Sequence, residues 1–229
     1  MRRSVLVCLL SSAAAVPAHG QQRSSFPIEP GLTWTYRGQV RWTGTDGRTH
    51  AASITHTMTI VSVETGPNAR AALVRGWVQD LARYEQSNKR AFSALVGRGG
   101  RLYHVVARDS ADAVALATTA VRDDAPPPEL ETLVLDSALV VGAVYGRDSV
   151  TSKRDDNMYG WHVASDRVVG ARAAWQPTGA RVRHVTLEYR TQPDYQRIEY
   201  VPGVGITRFV YSHHGTVAEA DVQLVSLQR

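Results

Sequence analysis

The side chains with the plainest chemical potential here are histidines, seven of which follow residue 20: His50, His56, His104, His162, His184, His213 and His214. Neutral imidazole is a common metal ligand, so the adjacent pair His213 and His214 is the first candidate for an ion. Neighbouring residues of a strand point to opposite faces, so the two rings share an ion only if a turn reorients them. A catalytic zinc site also adds a third ligand and an open position, and no His-x-His or His-Glu-x-x-His spacing accompanies the pair. His213-His214-Gly215 therefore reads as a turn satisfied by hydrogen bonds, and no metal or other cofactor is assigned. His50 and His56 share one parity but stand about 20 Å apart on an extended chain.

Nucleophilic chemistry has even less to stand on. Cys8, inside the first twenty residues, is the sole cysteine, and there is no Gly-x-Ser-x-Gly elbow. Asp123-Asp124 and Asp155-Asp156 lie in polar, Pro- or Asn-flanked stretches that read as solvated turns. Gly97-Arg98-Gly99-Gly100 lacks the Lys-Ser/Thr of a phosphate loop and reads as a hairpin turn. No catalytic residue is assigned. A hydrolase or metal-dependent enzyme would need a site gathered from distant residues such as His104, His162, His213 and His214.

The aromatic residues carry a different suggestion. Leu32, Trp34, Tyr36, Val40 and Trp42 fall on one parity of a stretch whose other parity is Thr, Arg and Gln. That is a strand with one buried and one wet face. Trp34, Tyr36 and Trp42 then line either an ordinary core or a cup for a lipid or other apolar small molecule.

The same period predicts the remaining elements. Leu32–Thr43, His50–Glu64 and Ala71–Gln79 form a meander joined by Gly44-Thr45-Asp46-Gly47 and Thr65-Gly66-Pro67-Asn68. Tyr84–Val96 and Arg101–Ala107 pair across Gly97–Gly100. Ser110–Val121 is the one helix, capped by Ser110, and residues 108–150 read as an irregular or helical insertion. Gly160–Ala164, Arg181–Arg190, Tyr195–Val201, Ile206–Ser212 and Val217–Leu227 return to strands. Long strands joined by Gly, Pro and Asp turns predict a mainly β domain, a curved antiparallel sheet or incomplete β-barrel with one short helix.

Residues 1–20 have the order of a secretory signal: Arg2-Arg3, an apolar run from Ser4 to Val16, Pro17, then Ala18-His19-Gly20 before Gln21. Residues 21–229 then form a single domain with 24 basic against 21 acidic side chains, a net charge of +3. The arginines are dispersed among acids, which excludes the concentrated basic face of a nucleic-acid binder. No later stretch is apolar and long enough for a transmembrane helix.

Two segments carry a family resemblance. Pro27-Ile28-Glu29-Pro30-Gly31-Leu32-Thr33-Trp34-Thr35-Tyr36 resembles a Pro-x-x-x-Gly-x-x-Trp-x-Tyr opening, and Pro202-Gly203-Val204-Gly205-Ile206 with His213-His214-Gly215 resembles a closing hairpin. Together they are similar to bacterial exported proteins of unknown function, DUF3108-like. That resemblance implies a curved antiparallel sheet and an address in the periplasm or at the cell surface. The reading is an exported envelope protein that binds a lipid or apolar ligand in a concave sheet. The alternatives are a module pairing with another envelope protein through a sheet edge, and the enzyme with a gathered site.

Overall fold

The computed structural model describes residues 26–84, 91–126, 133–137, 139–146, 160–170, 176, 181–191, 194–213 and 219–229. Its strands are β1 Thr33–Thr43, β2 Thr49–Thr65, β3 Ala69–Arg75, β4 Phe92–Arg98, β5 Arg101–Val106, β6 Leu133–Asp136, β7 Val144–Tyr145, β8 Trp161–Gly170, β9 Arg181–Arg190, β10 Asp194–Val201, β11 Gly205–His213 and β12 Glu219–Gln228. All twelve join one antiparallel sheet in the order β6-β5-β4-β3-β2-β1-β12-β11-β10-β9-β8-β7. Every neighbour is therefore sequential except the pairing of the first strand with the last. The expected mainly β domain, a curved antiparallel sheet or incomplete β-barrel with one short helix, is observed as a nearly closed barrel-like sheet with one short α-helix.

Period two explains the inside of this sheet. Trp34, Tyr36, Val40 and Trp42 on β1, Met58 and Ile60 on β2, and Ala220, Val222 and Leu224 on β12 are all buried in one core. Side-chain alternation puts their polar neighbours outside. Stagger and bulges supply the curl. The first part of β2 pairs with β1, and only the part from Thr59 onward pairs with β3. Register breaks at Thr35/Tyr36, Ile60/Ser62, Val163/Ser165 and Glu199/Tyr200 bend and twist their strands.

Closure is visible in what the sheet brings together. Leu102, Val134 and Leu135 from β5 and β6 face Leu187, Ile198, Tyr200 and Ile206 from β9 to β11 across an interior void of about 10 Å³. That is room for about one water, so side chains fill this part of the interior. The two edge strands, β6 and β7, approach at a seam where the Tyr145 hydroxyl donates to the Val134 carbonyl at 3.3 Å.

Helix α1, Ser110–Ala120, covers the outer face of β3 and β4. Its small residues Ala113 and Ala117 allow close approach to Leu73 on one side and to Ala71, Ala94 and Val96 on the other. This is why β3 and β4 read as continuous apolar runs rather than alternating ones. The helix is capped by Asp109, whose carboxylate accepts from the Asp112 amide at 2.9 Å, and not by Ser110. Arg98 at the end of β4 donates to the carbonyls of Ala120, Arg122 and Ala125 at 2.8–3.0 Å, satisfying the other end. The insertion at 108–150 thus includes α1 and both short edge strands.

Two turns differ instructively from expectation. β4 and β5 pair Arg98 with Arg101, leaving only Gly99-Gly100 as a two-residue loop, both at positive φ. The third strand stops at Arg75 and does not run on to Gln79. Gly76 has φ +75°, and a Cβ there would stand 2.5 Å from the Thr57 carbonyl oxygen. The bend it permits turns Trp77 and a 3-10 helix, Val78–Arg83, inward as a plug.

Candidate functional site

The plug creates the chemistry that patterning along the chain hides. A 3-10 helix has three residues per turn, so its residues fall into three rows. Val78 and Leu81 form the buried row. Gln79 with Ala82, and Asp80 with Arg83, form the two rows that line a cavity of about 280 Å³. Its other walls come from strand ends at one end of the barrel: His104 and Val106 of β5, Val134 of β6, Trp161 of β8, Tyr189 of β9 and Gln196 of β10.

The polar groups of this cavity are placed in tension with their surroundings. Desolvation pushes the Asp80 carboxyl from 3.8 up to about 6, against the opposing pull of the Arg83 charge. Burial pushes the His104 imidazole from 6.5 down to about 4, with Arg83 adding to the effect. His104 is therefore neutral at physiological pH, stacked on Trp77 with ring centroids 5.2 Å apart. Among the described residues neither Asp80 Oδ2 nor His104 Nε2 has a hydrogen-bond partner, although both atoms are buried. Buried polar atoms are normally satisfied, so two orphans on residues that line one cavity mark a place where a partner belongs.

The remaining lining is ordered. The Trp77 indole N–H donates to Gln79 Oε1 at 3.0 Å, and Gln79 Nε2 donates to Gln196 Oε1 at 3.1 Å. Trp161 and Tyr189 pack at 5.4 Å between centroids and form an aromatic wall. The site combines that apolar wall with a carboxylate, a neutral imidazole, an amide pair and a guanidinium. It can hold a small molecule that has both apolar and hydrogen-bonding parts.

The aromatic residues expected as lining share the inward face of β1 and are buried. The Trp34 indole N–H donates to the Val204 carbonyl at 2.7 Å, and the Tyr36 hydroxyl donates to the Ile206 carbonyl at 2.9 Å. These bonds tie the opening motif to the closing Pro-Gly-Val-Gly bend. Trp42 packs on Tyr84 and His50, with centroids 5.2 and 5.5 Å apart. None of the three lines the 280 Å³ cavity.

His213 is the last residue of β11 rather than a turn residue, and it lies opposite Asp194 of β10. Its Nδ1 contacts Asp194 Oδ1, which also accepts from the Tyr211 hydroxyl at 3.0 Å. Burial, then that hydrogen bond, pushes the Tyr211 hydroxyl up to about 12. His214 lies outside the described residues, as do residues 1–20 and Asp155-Asp156. Among the described residues no three His, Cys, Asp or Glu side chains gather closely enough to hold a metal ion.

Of the cavity residues, only His104 stands out in the sequence; Asp80, Arg83, Trp161, Tyr189 and Gln196 do not. The available signal was Gly76-Trp77 interrupting an apolar run, followed by Asp80 and Arg83 three apart.

No family model matches the chain, and no curated protein matches it, so the DUF3108-like resemblance rests on its two end motifs. Two solved structures are similar in outline. One is an inferred exported protein with a YmcC-like fold from Bacteroides fragilis NCTC 9343, at 12% identity, covering 89% of this chain and 98% of that one, with a TM-score of 0.41. The other is an inferred lipoprotein from Parabacteroides distasonis ATCC 8503, at 13% identity, 89% and 97% coverage, and a TM-score of 0.39.

Proposed function

We propose that this chain is an exported binding protein that holds a small amphipathic molecule in the cavity at the plugged end of its barrel. The observation that carries the reading is that two residues lining a 280 Å³ cavity walled by Trp161 and Tyr189, Asp80 and His104, each hold a buried atom, Oδ2 and Nε2, without a partner among the described residues. Leaving such atoms unmet costs the empty fold, and a ligand that meets them recovers that cost on binding. The neighbouring void, which shares Val134 with the cavity and holds only about 10 Å³, favours a compact ligand over a threaded acyl chain. Export rests on the signal-like order of residues 1–20.

Native mass spectrometry of the protein recovered from a bacterial envelope fraction tests both parts. The expected result is a chain beginning at Gln21 that carries a small added mass, and an Ala82→Trp variant that folds without it. A clean mass for both proteins, with melts unmoved by small molecules, would refute the binding reading.

One observation favours a second reading, pairing through a sheet edge. Among the described residues, β7 and its approach cover β8 only as far as Val163. Among the described residues, Ser165–Gly170 then has β9 on one side only, an edge on which a partner strand can add. Proline at Val168 would block such a partner without unfolding the domain; capture that survives it would refute this reading.

A further inference from the structure

Two opposite charges line the cavity, and among the described residues neither has an ion-pair partner. In a 3-10 helix residues i and i+3 eclipse, so Asp80 and Arg83 stand on one face, about 6 Å apart along the axis. Among the described residues neither forms an ion pair within 4.0 Å, with each other or with a third group. The Arg83 charge nevertheless reaches Asp80, His104 and Tyr211. A separated anion and cation on one wall, facing an aromatic pair on the other, form a dipolar receptor with an apolar side.

We infer that the cavity takes a small zwitterion of the α-amino-acid class, its ammonium on Asp80, its carboxylate on Arg83 and its apolar side chain against Trp161 and Tyr189. This rests on the binding reading above and narrows it. A ligand carrying only a cation meets Asp80 but is repelled by Arg83, and an anion meets the reverse. A neutral polyol leaves both charges without counter-charge. A zwitterion answers each with a charge-assisted hydrogen bond, the stronger kind. The volume agrees: 280 Å³ lies just below the roughly 300–1,000 Å³ of drug-sized sites. His104 Nε2 adds a neutral contact whose direction its tautomer sets.

Calorimetric titration of the intact protein with L-phenylalanine, L-leucine, phenethylamine and 3-phenylpropionate separates the outcomes. The expected result is that an amino acid binds at least about tenfold more tightly than either half-ligand. Asp80→Asn is expected to lose about tenfold for phenylalanine and to abolish its preference over 3-phenylpropionate. Arg83→Gln is expected to abolish the preference over phenethylamine instead. A half-ligand that matches phenylalanine, or variants that keep the preference, would overturn the zwitterion inference and leave the cavity a binding site. Four silent titrations, together with a clean native mass, would overturn both.

Discussion

Replacing Asp80 by asparagine is expected to stabilise the fold at neutral pH and to leave it unchanged near pH 4. Burial carries this carboxyl from 3.8 to about 6. Between those values the folded chain keeps a proton that the unfolded chain has released. Stability is therefore full below the lower value and is lost as pH rises through the upper one. The displacement corresponds to about 3 kcal/mol, and screening through the open side of the cavity brings the expected gain to about 1–3 kcal/mol. His104 slopes the other way. Its depression from 6.5 to about 4 means that the unfolded chain binds the proton first, so its contribution is present above 6.5 and is lost as pH falls toward 4. Each amounts in all to about 3 kcal/mol, and the two slopes overlap between 4 and 6, where they nearly cancel in the native protein. Asp80→Asn leaves the His104 slope alone. Urea unfolding followed by tryptophan fluorescence at about pH 4, 5, 6 and 7.5 reads this as a difference between the two proteins that opens with pH. Parallel curves, or a variant less stable than the native protein at about pH 7.5, would refute the placement of a desolvated carboxylate in this cavity.

Other consequences concern the scaffold. Tyr36→Phe deletes the donor to the buried Ile206 carbonyl and should cost about 1–3 kcal/mol in urea melts; no loss would mean that the strand-to-bend tie is not stabilising. Gly76→Ala forces a Cβ at positive φ to within 2.5 Å of the Thr57 carbonyl. It should cost about 1–3 kcal/mol and disturb the Trp77 fluorescence, and an unchanged melt would argue against the inward bend. Arg98→Leu leaves the Ala120 carbonyl that ends α1, and the Arg122 and Ala125 carbonyls of the turn after it, without their donor. Hydrogen exchange of Ala113–Ala120 should quicken while the β1 and β12 amides keep their protection; uniform protection would show that the helix does not depend on this cap.

The β architecture was legible because its cause is local. Alternation of Trp34, Tyr36, Val40 and Trp42 against Thr and Arg requires a strand with one buried face, whatever that face meets. Gly44–Gly47 and Pro202–Gly205 likewise mark turns by their own backbone chemistry. The helix was legible as an element, but its cap was one residue off, since Asp109 and Ser110 both qualify by type. What covers each face was not local. Continuous burial of Ala71–Val74 follows from a helix some forty residues later in the chain.

Side-chain period and glycine chemistry act over a few residues, so most strands and turns were legible along the chain, while the end of β3, the edge strands β6 and β7 and the place of His213 in β11 were not. The pairing of β1 with β12, the bonds from Trp34 and Tyr36 to the closing bend, and the turn at Gly76 that makes a plug of the next seven residues depend on contacts between residues far apart in the chain. The cavity belongs to this second class. Asp80 and Arg83 meet His104, Trp161, Tyr189 and Gln196 because a curled sheet brings strand ends together. Their altered protonation arises from burial, which no spacing along the chain encodes.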